Sequence, residues 1–428
     1  MEAINNVVLA VSNFLYQPFI LPVILLVGGL YFTIRAGGVQ IRMFKECLRV
    51  VTEKPKTENG ISSFGALMVS TASRVGTGNI IGVATAVICG GSGAIFWMWL
   101  SAFLGGASAF IESTLAQIYK KKNADGSSYG GPAFYMRDAL NARWLGVIFS
   151  VLIIFTYAIG YNMLAAFNLQ STFQVFSFYG DRTPAIIGVI LAALFGAVVI
   201  GGAHRLVKVT GVLVPVMGII YVAISLIVLV LNIGNVPAMF AGIFKNAFDF
   251  QAIFGGFAGS CIMFGIKRGL YSNEAGMGSA PNAAATADVS HPVKQGLVQM
   301  LSVFIDTMLI CTATAFMCLS TNIIPQNYLG ADGSADAAGY VQAATASTLG
   351  KFGPIFIAFA MCLFAFTTLI GNYSYCEGCI RFIIQRDIKP GELLAFRLFA
   401  TALVFVGSIA SAGLVWNTAD MMQGLMVI

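Results

Sequence analysis

The sequence predicts an all-α protein that is integral to a membrane, and three observations lead to this fold class. Hydrophobic residues make up 58% of the 428 residues and charged residues only 10%, whereas soluble domains carry about 25% charged residues. Apolar stretches of about 20 residues, long enough for a helix to cross a bilayer core, recur along the whole chain. Lys and Arg are concentrated in alternate loops between these stretches, as expected for a chain that crosses a membrane repeatedly.

The apolar stretches predict eleven membrane-crossing segments. In chain order they cover residues 17–35, 63–89, 93–119, 144–178, 183–200, 207–231, 250–287, 295–319, 352–380, 393–412 and 415 onward. The first 16 residues hold no basic cluster, so we expect no cleavable signal peptide and a short N-terminal stretch in the membrane interface. The last segment is too short to span the bilayer from residue 415, so we expect the chain end to cut it short.

The distribution of basic residues predicts the orientation of the chain. Eighteen of the 24 Lys and Arg residues fall in one set of loops, and only Arg182, Lys245 and Lys351 fall in the other. Because cytoplasmic loops carry the excess of Lys and Arg, the long loop before Ser63 is predicted to be cytoplasmic and the N-terminus outside the cell membrane. A basic excess placed in short loops does not indicate binding to nucleic acid, and the lipid bilayer is the partner that composition predicts.

Two of the apolar segments are interrupted by polar residues at related positions. Gly76-Thr77-Gly78-Asn79 corresponds to Gly276-Met277-Gly278-Ser279, 200 residues later. Five crossings separate the two interruptions, and an odd number reverses direction, so the pattern predicts an inverted repeat of the kind found in secondary transporters. The predicted organisation is an N-terminal extra helix and loop at 1–62, a first repeat at 63–232 and a second repeat at 250–428. The alternative is that glycine pairs recur by chance in a chain with 47 Gly.

An interrupted membrane helix exposes backbone N–H and C=O groups, which only a protein-lined cavity can accommodate at that depth. Such groups suit a small zwitterion and a cation, because half-helix N-termini favour anions and carbonyls favour cations. Close packing through Gly78-x-x-x-Gly82 would account for the glycines but not for Arg74 and Asn79. No strand precedes the Gly-rich run, so it does not indicate a dinucleotide site. No catalytic cluster is evident either, so we expect a protein that is not an enzyme.

Three runs resemble the alanine/glycine:cation symporters, also called the sodium:alanine symporter family. They are GTGNIIGVATAVICGGSG at 76–93, GLYSNEAGMGSAPN at 269–282 and WNTAD at 416–420. The resemblance covers nearly the whole chain. It implies a LeuT-like 5+5 inverted repeat plus one extra N-terminal helix, and symport of alanine and glycine with Na⁺ as the coupling ion. Coupling to H⁺, or transport of another small solute by the same fold, remains open, as does the oligomeric state.

The resemblance also implies roles for residues at the first interruption. The wider LeuT-like group has a Val-Gly-x-Gly-Asn run, which here is Val75 to Asn79. By this match, the N–H groups around Thr77 and Gly78 hold the substrate carboxylate, and Asn79 is a side-chain ligand to the substrate or to a cation. The implied sodium ligands are Ala72, Val75, Phe364, Thr367 and Thr368. For the two Thr hydroxyls the alternative is a hydrogen bond to carbonyls of their own helix.

At the second interruption, the predicted substrate wall consists of Ser272, Asn273, Gly276 and Met277. A Met side chain over the site would leave room for a methyl group and little more. Gln170 interrupts the fourth segment, where its amide is a candidate ligand for substrate or a contact between helices.

Ionisable residues inside apolar segments are costly and usually paired or functional. Arg74 and Glu274 occupy equivalent repeat positions, so we expect them to pair across the interruptions. Glu112 and Asp306 follow the two interruptions, and we expect them to tie helix ends together or to contribute to a cytoplasmic gate. Lys267 and Arg268 are expected to form part of an external gate or to extend toward the membrane surface. An ion channel and a membrane-embedded enzyme are the functional alternatives from other classes.

Overall fold

The structure is a computed structural model that describes residues 2–16, 20–55, 57, 60–123, 126–249, 260–331, 333–386 and 388–428. The first predicted segment starts at residue 17 and the seventh at residue 250, and residues 17–19 and 250–259 lie outside the described residues. The same holds for the predicted boundary of the second repeat at residue 250. The division into two repeats therefore stays a prediction.

The described chain is built almost entirely from helices. The N-terminal half contains α1 (Glu2–Tyr16), α2 (Ile20–Arg35), α3 (Val39–Arg42), α4 (Phe44–Val51), α5 (Ser63–Arg74), α6 (Val83–Gly90), α7 (Ala94–Ile118), α8 (Pro132–Leu140), α9 (Arg143–Ile153), α10 (Asn162–Ser171), α11 (Thr183–Ile200), α12 (Gly202–Leu231) and α13 (Val236–Ala247). The C-terminal half contains α14 (Cys261–Asn273), α15 (Ala280–Ala284), α16 (Pro292–Val303), α17 (Thr312–Leu319), α18 (Ala337–Leu349), α19 (Phe352–Ile384), α20 (Pro390–Ile409) and α21 (Ala412–Val427).

Wider π-helical turns join some of these helices into longer ones. They are Gly78–Gly82 before α6, Ile154–Tyr161 between α9 and α10, and Phe304–Cys311 between α16 and α17. Short 3₁₀ turns lie at Ile233–Asn235 and Pro325–Tyr328. A two-stranded antiparallel hairpin of β1 (Lys121–Lys122) and β2 (Ser128–Tyr129) occupies the loop after α7.

The predicted all-α membrane architecture is confirmed. Seven described helices are long and apolar enough to cross a membrane, and two bent pairs raise this number to nine. One pair, α1 with α2, bends by 42°; the other, from Ser63 to Gly90, bends by 50°. The remaining two of the eleven predicted segments contain α14, with 13 residues, and α21, with 16 residues. That these two segments cross the membrane stays a prediction.

The N-terminal stretch, which we expect to lie in the membrane interface, is helical. It forms α1, whose Leu15 and Tyr16 are buried in a small apolar cluster with Met263 of α14. Leu425 of α21 packs against the same cluster. Burial of one apolar face against two other helices accounts for a regular helix here.

The outer surface of the helix bundle is apolar, as a bilayer requires. On α11 and α12, Ile190, Ile219 and Leu226 expose 56%, 69% and 54% of their surface. Polar residues are instead buried inside the bundle, where Arg74 is 2% exposed and Asp306 is not exposed. In water such an arrangement would be unfavourable, so the exposed faces are those that contact lipid.

The loops rich in Lys and Arg meet at one end of the bundle, here called the basic end. The Asp288 N–H donates to the Ile61 carbonyl at 2.8 Å, which joins the chain before α5 to the chain after α15. Lys120 donates to the Ala287 carbonyl at 2.6 Å from the end of α7. The two interrupted segments therefore run in opposite directions: α5 runs away from the basic end, and α15 runs toward it.

Candidate functional site

The first break separates α5 from the π-helical turn at Gly78. Val75 leaves helical geometry with φ −74° and ψ 89°. The Gly76 N–H donates to Asn79 Oδ1 at 2.7 Å, and the Asn79 N–H donates to the Gly76 carbonyl at 3.1 Å. In a continuous helix these two N–H groups would bond to the carbonyls of Ala72 and Val75. The break therefore leaves both carbonyls without these helical hydrogen bonds. They belong to the two residues of this break that the family resemblance implies as sodium ligands.

Thr368 of α19 lies directly against this break. Its Oγ1 is buried without a hydrogen-bond partner among the described residues. A Cβ atom on Gly76 would overlap that oxygen, and one on Gly371 would overlap the Ser73 backbone, so α5 and α19 approach as closely as glycine allows. An unpaired buried hydroxyl is costly, and its position beside two released carbonyls suits a hard cation that prefers oxygen ligands.

Unlike the Thr368 hydroxyl, the Thr367 hydroxyl and the Phe364 carbonyl form hydrogen bonds within α19. The Thr367 hydroxyl donates to the carbonyls of Leu363 and Phe364, at 2.9 and 3.1 Å, and lies 3.4 Å from the sulfur of Met217 on α12. The structure thus brings Thr368 but not the Thr367 hydroxyl to the break. Adjacent residues on a helix point about 100° apart, which explains why only one of the two hydroxyls faces α5. Their ligand roles stay predictions.

The second break follows α14. Glu274 ends that helix with φ 55°, and Gly276 and Gly278 have φ of 88° and 72°, a left-handed conformation that favours glycine. The Asn273 side chain stabilises the turn by accepting from the Ala275 N–H at 3.0 Å and donating to Thr307 Oγ1 at 3.2 Å. Gly276 itself faces Leu25 of α2, so the structure places this predicted wall residue away from the first break.

Asp306 connects the two breaks. Asn79 Nδ2 donates to its Oδ1 at 2.7 Å, and the Ser272 hydroxyl lies 2.8 and 3.0 Å from its two oxygens. Thr307 adds a third donor at 2.8 Å. Three donors around a fully buried carboxylate stabilise its negative charge. We expected Asp306 to tie helix ends or serve a gate, and the structure places it at the centre of the site.

Aromatic residues close the site on the side away from the basic end. The Tyr271 hydroxyl lies 3.3 Å from Thr77 Oγ1, and a Cβ on Gly78 would crowd the Tyr271 ring. The Tyr161 hydroxyl lies 3.9 Å from the Met277 sulfur, and its ring is 5.0 Å from that of Tyr271. The predicted residues Thr77, Gly78 and Met277 thus share one aromatic wall.

The fourth predicted segment reaches the site through Asn168 rather than Gln170. Asn168 Nδ2 donates to Thr77 Oγ1 at 3.3 Å. The Gln170 amide oxygen instead accepts from Tyr179 at 2.5 Å, in the turns that follow α10. Two residues along a helix rotate the side chain by about 200°, so only one of this pair can face the break.

The expected ion pair between Arg74 and Glu274 does not form directly. Arg74 Nη1 donates to the Gln299 carbonyl at 3.1 Å, and its Nε and Nη2 have no partner among the described residues. Glu274 instead accepts from Ser73 and Ser279, each at 2.8 Å. The two small hydroxyls reach the carboxylate because the left-handed turn at Glu274 directs it along the end of α5.

At the end opposite the basic end, charged residues join α14 to α21. Lys267 Nζ lies 2.8 Å from Asp420, and Arg268 binds the same carboxylate with two bonds of 3.0 and 3.1 Å. The Arg268 guanidinium stacks 4.4 Å from the Trp416 ring, and Lys267 lies 4.6 Å from the Tyr16 ring. A two-bond Arg–carboxylate contact is geometrically specific, so this cluster closes the path between α14 and α21.

A cavity of about 320 Å³ lies between the breaks and the basic end. We call it the vestibule. Its wall includes Val69 of α5, Asn282 of α15 and Ser374 of α19, each within about one helical turn of a site residue. Arg381 and Arg397 line it near the basic loops. The site is therefore closed at one end of the bundle and approached by a cavity from the other.

The whole chain matches a known family. Residues 1–428 match the family described as Sodium:alanine symporter family. The chain is similar to the amino-acid carrier protein AlsT of Bacillus subtilis, with 43% identity over 425 residues, 99% of this chain and 88% of AlsT. It is also similar to the probable sodium/glutamine symporter GlnT of the same species, with 43% identity over 430 residues, 100% of this chain and 87% of GlnT.

Solved structures support the fold. The crystal structure of MhsT in complex with L-phenylalanine aligns with a TM-score of 0.54 at 14% identity, over 87% of this chain and 89% of that chain. At that identity the likeness concerns the LeuT-like fold alone. The similar chains are transporters and not enzymes, in agreement with a multi-pass membrane protein for secondary transport of amino acids. From the match along its whole length, the chain belongs to the sodium:alanine symporter family.

Proposed function

We propose that this protein imports small neutral amino acids, alanine and glycine, across the cell membrane by symport with Na⁺. The observation that carries the proposal is the first break, where two released carbonyls and the unpaired hydroxyl of Thr368 converge. Na⁺ is a hard cation that binds such oxygens. The family match supports sodium and alanine as cargo.

The amino acid would bind beside the cation, between the two breaks. Its carboxylate faces the N–H groups at Thr77 and Gly78, which begin the second half of the broken helix and favour an anion. Its side chain faces Met277 and the rings of Tyr161 and Tyr271. These bulky groups restrict the volume, so a hydrogen or methyl side chain fits best.

Alternating access follows from the two ends of the bundle. We assign the basic end to the cytoplasm, because cytoplasmic loops carry the excess of Lys and Arg, and this assignment puts the N-terminus outside. The Lys267, Arg268 and Asp420 cluster then closes the external path, and the vestibule leads from the site to the cytoplasm. This arrangement corresponds to an inward-facing state, from which Na⁺ and amino acid leave.

Uptake of radiolabelled alanine into proteoliposomes tests the proposal. We expect accumulation when Na⁺ is high outside, and its loss when the Na⁺ gradient is dissipated at constant pH. Uptake that follows a pH gradient and ignores Na⁺ would replace Na⁺ by H⁺ as coupling ion. Uptake that ignores both gradients would contradict symport altogether.

A second candidate is symport of a larger neutral amino acid. GlnT, at 43% identity, is named a probable sodium/glutamine symporter, whereas the name of AlsT, also at 43%, specifies no amino acid, so glutamine is the specific alternative. Competition of labelled alanine uptake by unlabelled glycine, alanine, serine, glutamine and leucine separates the two candidates. Stronger competition by glutamine than by glycine would reject the alanine and glycine assignment while keeping Na⁺ symport.

A further inference from the structure

Glu274 is a buried carboxyl that the proposed transport of Na⁺ and amino acid does not use. It is 1% exposed and bridges the two breaks. Its Oε1 accepts from Ser73 at the end of α5, and its Oε2 accepts from Ser279 within the second break. The hydrogen bonding of this carboxyl depends on both breaks, because movement of either one removes a hydrogen bond.

The charges around Glu274 do not balance when it is ionised. The charged groups that face it are Arg74 from α5 and Asp306 from the π-helical turn after α16. The titratable phenols that face it are neutral and belong to Tyr157, Tyr161, Tyr271 and Tyr375. Asp306 accepts from three hydrogen-bond donors, which favour its ionised form, and Arg74 supplies one positive charge when both carboxyls are ionised. One negative charge is left over.

An uncompensated charge in this interior is strongly unfavourable, so a second positive charge must accompany it. Glu112 of α7 also interacts with Arg74, and as a further acid it can only add to the negative surplus. Two sources of positive charge are at hand: a proton on Glu274 itself, or Na⁺ at the first break. These two positions are neighbours, because Ser73 follows Ala72 and its hydroxyl also lies 2.7 Å from Asn372, one turn beyond Thr368.

We propose that Glu274 is a proton-binding site whose proton exchanges with Na⁺, an inference that rests on the proposed Na⁺ site at the first break. With that site empty, Glu274 carries the proton. When Na⁺ binds, the O–H bond of the carboxyl breaks, the carboxylate keeps the electron pair, and the proton leaves to water. The net charge of the buried cluster is the same with the proton bound and with Na⁺ bound. Neither state therefore carries the energetic cost of that extra negative charge.

The vestibule gives this proton a route in the inward-facing state. Ser73, Ser279 and Asn372 each lie within four residues of a vestibule residue: Val69, Asn282 and Ser374 respectively. Two nitrogens of Arg74 are buried without partners among the described residues, and such polar groups are suited to hold water. After Na⁺ leaves to the cytoplasm, Glu274 takes up a cytoplasmic proton, which the return step carries outward.

Proton release on Na⁺ binding tests the proposal directly. Purified full-length protein in weakly buffered detergent solution, with a pH-sensitive dye and no amino acid, receives NaCl or, as control, choline chloride. We expect about one proton released per Na⁺ bound in the wild type, none with choline, and none from Glu274→Gln. Glu112→Gln is the matched control and should release the wild-type amount.

The outcomes separate this proposal from the proposed function. Na⁺ binding without proton release in the wild type would overturn the proton site and leave Na⁺ symport intact, whereas absence of Na⁺ binding would refute the symport itself. Release that persists in Glu274→Gln and vanishes in Glu112→Gln would assign the proton to Glu112 and reject Glu274.

A second measurement does not depend on a folded variant. The apparent dissociation constant for Na⁺ of the wild type should rise with falling pH, approaching about tenfold per pH unit where exchange is one for one. A dissociation constant that is the same across the accessible pH range would also overturn the proposal.

Discussion

Replacing Thr368 by Val removes one oxygen from the first break and changes almost nothing else. The hydroxyl has no hydrogen-bond partner among the described residues, so no protein contact is lost, and Val keeps the branched shape. In contrast, a hydrogen bond or ligand contact to a charged group is worth about 1.5–3 kcal/mol. Thr368→Val should therefore weaken Na⁺ binding by about ten- to a hundredfold without lowering the stability of the Na⁺-free protein.

The assay is thermal unfolding in detergent over a series of Na⁺ concentrations, because a ligand that binds only the folded state stabilises it by an amount that grows with the logarithm of its concentration relative to its dissociation constant. Thr368→Ser retains the oxygen and should retain the response. Thr367→Val is the matched control, since its hydroxyl bonds to carbonyls of its own helix. A larger loss of Na⁺ affinity in Thr367→Val than in Thr368→Val would refute the geometry described for α19.

Three further predictions concern other parts of the site. Asn79→Ala removes hydrogen bonds that join both breaks, so alanine binding should be lost and the free energy of unfolding should fall by about 2–4 kcal/mol, as measured by equilibrium binding and denaturation. Asp420→Asn should weaken the closure between α14 and α21 and lengthen the distance between spin labels on these helices, whereas Asp138→Asn at the basic end should leave it unchanged. Gly371→Ala introduces a methyl group into a closed helix crossing and should cost about 1–3 kcal/mol, whereas Gly391→Ala, with no atom within 4 Å of its Cβ position, should be neutral in the same unfolding assay.

Hydropathy was sufficient to predict the seven long apolar helices and the two bent pairs among the described residues, because the bilayer imposes both a length and a composition on each of them. The shorter helices α13 and α18 were missed for the same reason. Neither is long enough to meet the length requirement, and α18 begins where Asp336 caps its first turn by accepting from the Gly339 N–H at 2.9 Å. Such helices depend on packing and capping, which hydropathy does not report.

The site was predicted unevenly from the sequence. The breaks themselves were found because Gly-rich polar runs are rare within apolar segments. The structure brings Asn79 and Ser272 together on Asp306, and it places Thr77 and Met277 against two adjacent Tyr rings. Which face of a helix a residue occupies could not be predicted at single-residue precision.

Asp306 illustrates a different kind of miss. Its charge within an apolar segment marked it as important, but its partners come from α14 and from the first break, more than 30 and 220 residues away in sequence. Contacts between segments so distant depend on how the helices pack. The repeat relation between Asp306 and Glu112 predicted its position along the helix but not the residues that surround it.

Interdependence of the two cargoes tests the central claim most directly. If Na⁺ and alanine bind side by side at the two breaks, saturating Na⁺ must raise the affinity for alanine, and saturating alanine must raise the affinity for Na⁺ by the same factor. Both affinities can be measured by equilibrium binding to the purified protein, with choline replacing Na⁺ in the reference. We predict equal factors of about five or more in the two directions. An alanine affinity that is the same in Na⁺ and in choline would contradict a shared site for the cation and the amino acid.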